Sequence, residues 1–235
     1  MSPVDHTDSE QVHSADRLRT AANVFGPDQR SHAFKGPHVE PVPPELEQRL
    51  RDISQFELSP GVPVRIRIHF ETARNLYAYS WFVYRFHMVA QQHALATLEL
   101  ALRCRFFPPD GHTDNSKATL RPLLARAVKE GLLSSERFGV VQRTALQRAR
   151  DRQWQEAIRK LSESGVDFVE TDERDAMPLP DDYRSEWLQD WVEIAPKLRN
   201  MHAHGTTSLS PAVLGTFENV MDAINQLWSP RASTG

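Results

Sequence analysis

Residues 71–106, ETARNLYAYSWFVYRFHMVAQQHALATLELALRCRF, decide the fold, because this long stretch contains neither glycine nor proline. Its apolar residues fall on nearly every side of a helix: Leu76, Tyr77, Trp81, Tyr84, Met88, Leu95, Leu98 and Leu102. A helix that is apolar all round is buried at the centre of its domain. The stretch therefore predicts one central helix about 50 Å long, at a rise of about 1.5 Å per residue. Pro108 and Pro109 are expected to end it.

Downstream of this stretch, apolar periodicity and capping residues predict four more helices. They cover residues 119–130, 134–165, 183–204 and 210–228. Ser116 or Thr119 caps the first of them, and Thr119 is favoured because Pro122 is tolerated only in a first turn. Pro196 is expected to kink the third.

Upstream, residues 43–58 predict a short helix, whose apolar stripe is formed by Leu46, Leu50, Ile53 and Phe56. Residues 60–70, PGVPVRIRIHF, alternate apolar and basic side chains as a strand does. Their two prolines and their isolation predict an extended connector or an edge strand. Taken together, residues 44–230 are predicted to form an all-α bundle of five or six helices.

Residues 1–43 differ in composition from the rest of the chain. Five prolines interrupt them, and apolar residues are sparse and without periodicity. This composition predicts a flexible, Pro-rich and mostly disordered arm, with at most a short helix near residues 14–25. The four histidines of the arm share no ligand spacing, so they are interpreted as solvated side chains and not as a metal site.

Charge, hydropathy and cysteine content argue against several classes of protein. The 235-residue chain has a net charge of -3, whereas proteins that coat long nucleic acids are usually basic. It contains no apolar run long enough to span a membrane, and its first residues lack the pattern of a secretory signal. The single cysteine, Cys104, excludes an internal disulfide, so a reducing cytoplasm is the expected compartment.

Charge is segregated along the chain. Residues 117–160 hold eleven Lys and Arg against four acidic residues, whereas residues 163–193 hold two Arg against eleven acidic residues. The basic segment has the charge to contact phosphates. The favoured interpretation is a solvated face that the acidic segment neutralises, within one molecule or between two.

The candidate site lies in residues 197–211, KLRNMHAHGTTSLSP. On a helix, Asn200 and His204 are four residues apart and share a face, and Arg199 and His202 share an adjoining one. Imidazole transfers protons near neutral pH, and a guanidinium stabilises a phosphate that gains charge. These groups suffice for metal-free cleavage of RNA, in which the 2′-hydroxyl attacks the adjacent phosphate. Two copies related by a two-fold axis would supply both a base and an acid.

The pattern Arg199-Asn200-x-x-x-His204, together with the apolar helix FENVMDAINQLW that follows it, resembles the HEPN superfamily (higher eukaryotes and prokaryotes nucleotide-binding domains). The resemblance covers roughly residues 70–228. It implies a dimeric, metal-independent endoribonuclease of a toxin or defence system, without a cofactor. RNA would be the substrate, and a second copy and an antitoxin or other protein would be the partners. It also implies a phosphate-binding role for Arg199, an orienting role for Asn200 and the catalytic role for His204, which His202 would tune or replace.

Three other interpretations of the same residues stay open at this point. Arg199, His202 and His204 would also suit the carbonyl end of a helix, where cations are favourable. A metal site at His202 and His204 is disfavoured, because residues two apart point to different sides of a helix and no third ligand is near. A non-catalytic HEPN-like module that binds a partner protein or a nucleotide is the alternative function.

A second Arg-Asn pair, Arg74 and Asn75, has Tyr79 where the histidine would be.

Overall fold

The computed structural model describes residues 14–31, 44–107, 118–164, 172–203 and 209–229, which contain seven α-helices and no strand. The helices are α1 (Pro44–Ser54), α2 (Val64–Tyr79), α3 (Phe86–Phe106), α4 (Leu120–Lys129), α5 (Gly139–Ser164), α6 (Trp187–Ala203) and α7 (Leu214–Trp228). The prediction of an all-α bundle is confirmed. Its helix count was too low, because two segments upstream of Phe106 were assigned wrongly. No helix in these ranges is both long and apolar enough to cross a membrane.

The first error concerns residues 71–106, which form parts of two helices and not one. The chain turns between Tyr79 and Phe86, where the Ser80 hydroxyl donates to the Tyr77 carbonyl oxygen at 2.6 Å. α2 and α3 then pack as an antiparallel hairpin, with Tyr77 against His87 and, further along, His69 against His93. The turn lets aromatic side chains from both helices share one core, which a single straight helix would have left partly in water.

The second error concerns residues 60–70, which were expected to be extended. α2 begins at Val64, directly after Pro63, a residue that suits a helix start because its missing N–H would have no partner there. Ile66 and Phe70 are fully buried, whereas Ile68 is exposed. The alternation therefore comes from a helix whose buried positions are four residues apart, and the strand interpretation was wrong.

α3 lies at the centre of the bundle and packs against α2, α4, α6 and α7. Leu95, Leu98 and Leu102 on three of its turns are completely buried. Each such side chain contributes about 1.5–3 kcal/mol through burial. Phe217 of α7 packs against α2, with its ring centroid 6.0 Å from those of Phe70 and Tyr77. The predicted central helix is thus confirmed for residues 86–106.

The acidic segment before α6 is paired with the basic helix α5. Both Nη atoms of Arg152 donate to the carboxylate of Asp182, at 2.7 and 2.9 Å. Arg148 donates to the carbonyl oxygens of Asp182 and Arg184. These contacts within one chain support the interpretation that the acidic segment neutralises this basic face.

Residues 14–31 contact the turn between α2 and α3. The buried carboxylate of Asp28 accepts the backbone N–H of Tyr84 at 3.0 Å and pairs with Arg30 at 2.9 Å. In place of the expected short helix near residues 14–25, the structure has one 3-10 turn at Ser14–Asp16. Residues 1–13 and 32–43 lie outside the described residues, so an arm that ends at residue 43 stays a prediction.

His87 is a buried histidine beside the α2–α3 turn, with 1% of its surface exposed. Arg49 Nη1 lies 2.9 Å from its Nε2. A guanidinium only donates hydrogen bonds, so Nε2 accepts and the ring is neutral. Burial, and then the charge of Arg49, lower the pKa of His87 from 6.5 to about 4.

We expect the free energy of unfolding to fall as the pH drops from about 6.5 towards 4. In this window the unfolded chain binds a proton at His87 and the folded chain does not, because the folded pKa of His87 is about 4. Burial also lowers the pKa of His93, which acts in the same direction. Urea unfolding at several pH values measures the slope, and His87→Gln should flatten it. An unchanged slope in folded His87→Gln protein would contradict this role of His87.

Candidate active site

Helix α6 carries the predicted Arg199 and Asn200 in its last two turns and is anchored to the core through its other faces. Ala195 is fully buried, and Trp191 and Val192 are nearly so. The helix runs on through Pro196 to Ala203. Because the anchoring residues lie one to two turns before Arg199, packing fixes where its guanidinium emerges.

Arg199 and Asn200 line a cleft of about 400 Å³ between α6, the second half of α3 and the start of α4. Arg199 Nη1 donates to Asn200 Oδ1 at 3.2 Å, so the two predicted residues are in direct contact. The other lining residues are Glu99, Arg103, Thr119, Leu120, Arg121, Glu193, Pro196 and Lys197. The structure therefore brings the two predicted side chains together at a concave surface.

A carboxylate that the sequence analysis missed organises this cleft. Glu99 of α3 is 8% exposed, and its Oε2 lies 3.3 Å from Arg199 Nη2 while its Oε1 lies 2.7 Å from Arg103 Nη2. Arg103 also donates to the carbonyl oxygen of Ala118. Glu99 thus holds two guanidinium groups at the cleft wall. The signal for this was an i, i+4 pair of Glu99 and Arg103 in the apolar second half of α3.

The cleft has an excess of positive charge. Its lining includes Arg103, Arg121, Lys197 and Arg199 against two carboxylates. Arg121 pairs with Glu193 at 2.7 Å, but both side chains are largely exposed, and such a pair contributes about 1 kcal/mol or less. Lys197 is exposed and forms no ion pair with the residues that the structure describes. An anion that enters the cleft therefore meets Arg121 and Lys197, whose charges are weakly paired or unpaired within the described residues.

The side chains of the two predicted histidines are not among those that the structure describes. His202 belongs to the last turn of α6, and His204 lies outside the described residues. The grouping of Arg199 with His204 therefore stays a prediction. Within the described ranges, no three His, Cys, Asp or Glu residues lie close enough together to hold a metal ion.

The contacts bear on the helix-cap interpretation of Arg199 and on the second Arg-Asn pair. The described partners of the Arg199 guanidinium are the side chains of Asn200 and Glu99, which is not the arrangement of a helix cap. The second Arg-Asn pair is structural, because Arg74 donates to the carbonyl oxygens of Ile53 and Ser54 and so ties α2 to α1.

Comparisons with protein-family models, with curated proteins and with solved structures yield no match to this chain. The arguments for a function accordingly come from the chemistry of the cleft and from Arg199 and Asn200, the two motif residues that line it. Both rest on Arg199, whose side chain is 37% exposed and so can reach a ligand without leaving Glu99.

Glu99→Gln should lower the free energy of unfolding by about 2 kcal/mol, because two guanidinium groups lose a largely buried charged partner. Urea unfolding at pH 7 measures this change. Glu193→Gln is the matched control, since it removes the carboxylate of an exposed pair in the same cleft and should cost less than about 1 kcal/mol. Equal losses in the two variants would show that Glu99 has no special part in holding the cleft together.

Proposed function

We propose that the protein is a metal-independent endoribonuclease of the HEPN type that acts in a toxin or defence context. The observation that carries the proposal is the contact between Arg199 and Asn200 in a cleft with excess positive charge. A phosphodiester needs a cationic, concave surface with a planar donor, and Arg199 supplies that donor. His204, four residues after Asn200 in the sequence, is the proposed group for proton transfer.

In the proposed reaction the ribose 2′-oxygen attacks the adjacent phosphorus, and the bond from phosphorus to the 5′-oxygen of the next nucleotide breaks. A neutral His204 takes the 2′ proton, and an acid returns one to the leaving 5′-oxygen. The products are a 2′,3′-cyclic phosphate and a 5′-hydroxyl. Arg199 stabilises the negative charge that builds on the non-bridging oxygens, and the Asn200 amide orients the Arg199 guanidinium that it contacts.

Glu99 is compatible with phosphate binding by Arg199, because Glu99 has a second cationic partner in Arg103. Its contact with Arg103 is 2.7 Å, whereas its contact with Arg199 is 3.3 Å. Arg199 can therefore turn one edge of its fork to phosphate while Glu99 stays neutralised by Arg103. The carboxylate limits where the guanidinium can move, which lowers the ordering cost of binding.

A second copy of the chain is part of the proposal. Cleavage uses a base and an acid, and one motif contains one His204. A two-fold axis that brings two clefts together would provide both groups and two Arg199 side chains.

The alternative, a non-catalytic HEPN-like module that binds a partner protein or a nucleotide, is favoured by one observation. Arg199 already has a largely buried carboxylate partner in Glu99 and does not need a substrate to satisfy its charge. Under this alternative the cleft would bind an anionic group and leave it unchanged.

Purified protein in EDTA should cleave a mixed RNA pool, and the rate should rise through about pH 6 to 7 as the histidine base becomes neutral. Arg199→Ala and His204→Ala should each lower the rate by at least about a hundredfold, since each removes a group that acts in the transition state. Arg159→Ala, on the exposed face of α5, is the control for loss of an arginine and should leave the rate unchanged.

His202→Ala decides which imidazole reacts. A small effect assigns the chemistry to His204, whereas an effect equal to that of His204→Ala would place it at His202 or require both. Folded wild-type protein that remains monomeric and leaves every RNA intact, with or without added metal, would reject the nuclease and support the binding module.

A further inference from the structure

A second cavity lies on the other side of α6, between α3, α6 and α7. Its volume is about 590 Å³, which falls within the range of small-molecule sites, about 300–1,000 Å³. It shares none of its lining residues with the Arg199 cleft. Nothing in the proposed nuclease reaction uses it.

The walls of this cavity are apolar and aromatic. Trp187 and Trp191 line it with their rings stacked, the centroids 5.7 Å apart and the planes 11° from parallel. Phe138 packs against both indoles and holds them in place. Leu95 and Leu198 complete the apolar surface. Such walls favour a flat, apolar ligand body through burial and ring contacts.

The polar side chains that line the cavity are two amides, two hydroxyls and one carboxylate. Gln91 Nε2 donates to Thr216 Oγ1 at 2.7 Å, across the floor from α3 to α7. Asn219 also lines the cavity, and its Oδ1 is buried without a hydrogen-bond partner among the described residues. A buried acceptor that lacks a donor is costly. The terminal torsion of asparagine is soft, so rotation of the Asn219 amide would present this oxygen to a ligand.

The described residues of the lining favour an uncharged ligand over an anion. No lysine, arginine or histidine is among the described residues that line the cavity, whereas the exposed carboxylate of Asp190 lies at its wall. A phosphate or carboxylate placed here would lose hydration without gaining a cation. The ligand class is therefore opposite in charge preference to that of the Arg199 cleft.

We propose that this cavity binds a small heteroaromatic molecule that carries an N–H donor and no negative charge. The stacked indoles and leucines cover its ring, and the Asn219 amide accepts its N–H. The proposal is independent of the nuclease, because it concerns different residues and a different readout.

The test uses three probes with the full chain in saturation-transfer NMR and calorimetric titration. Indole should bind. Benzothiophene, which has nearly the same shape but no N–H, should bind about fivefold more weakly, the value of one hydrogen bond. Indole-3-acetate should bind at least about tenfold more weakly than indole, because its carboxylate finds no cation.

Gly215→Leu tests the location of the site. A Cβ atom added at Gly215 meets no atom within 4 Å, and this residue lines the cavity, so we expect a leucine side chain to occupy part of the cavity. Leucine also favours a helix over glycine. We expect this variant to melt at or above the wild-type temperature. Its affinity for indole should fall at least about tenfold, because leucine would occupy the space that indole needs.

Asn219→Leu tests the polar contact, and it should abolish the preference for indole over benzothiophene. Asn75→Leu, at an exposed position of α2, is the matched control and should keep that preference. The proposal is overturned if wild-type protein binds no indole, if folded Gly215→Leu binds it like wild type, if folded Asn219→Leu keeps the preference, or if indole-3-acetate binds best.

Discussion

The structure depends on burying α3, a helix that is apolar on nearly every side. Leu95, Leu98 and Leu102 are out of contact with water only because α2, α4, α6 and α7 cover them from different directions. The driving force is the removal of apolar surface from water. A helix enclosed in this way sets the positions of its neighbours, since each must lay its own apolar stripe on α3. The candidate cleft and the second cavity are both gaps between these covering helices.

Glu99 is the point at which this burial and the candidate chemistry meet. A carboxylate that is 8% exposed on the central helix requires cationic partners, because an unpaired buried charge is strongly unfavourable. Arg103 provides one from the same helix and Arg199 provides the other from α6. Packing α6 on α3 therefore places Arg199 at the cleft, within reach of Glu99. A change that removes Glu99 would affect folding and the candidate site together, so the two effects have to be measured side by side.

Features that repeat along one element could be predicted from the sequence, and features made between elements could not. Helical periodicity with caps predicted α1 and α4–α7, and it also predicted that Arg199 and Asn200 lie on adjoining faces of the same helix end. Residues 64–70 were misassigned because burial at Ile66 and Phe70 fits both a period of two and a helical turn of four residues. The break after Tyr79 and the pairing of Glu99 with Arg199 arise from contacts between helices, for which a single sequence has no periodic signal.

Helix α6 separates two sites of opposite character, and its own periodicity explains how. Trp187, Trp191 and Leu198 recur at intervals of three to four residues or their multiples and line the largely apolar cavity. Glu193, Pro196 and Asn200 recur in the same way on another face and line the charged cleft. Residues three or four apart share a face, so adjacent positions such as Leu198 and Arg199 are directed to different environments. One helix can thus present apolar contacts to one ligand class and cations to another, provided that its third face stays packed on α3.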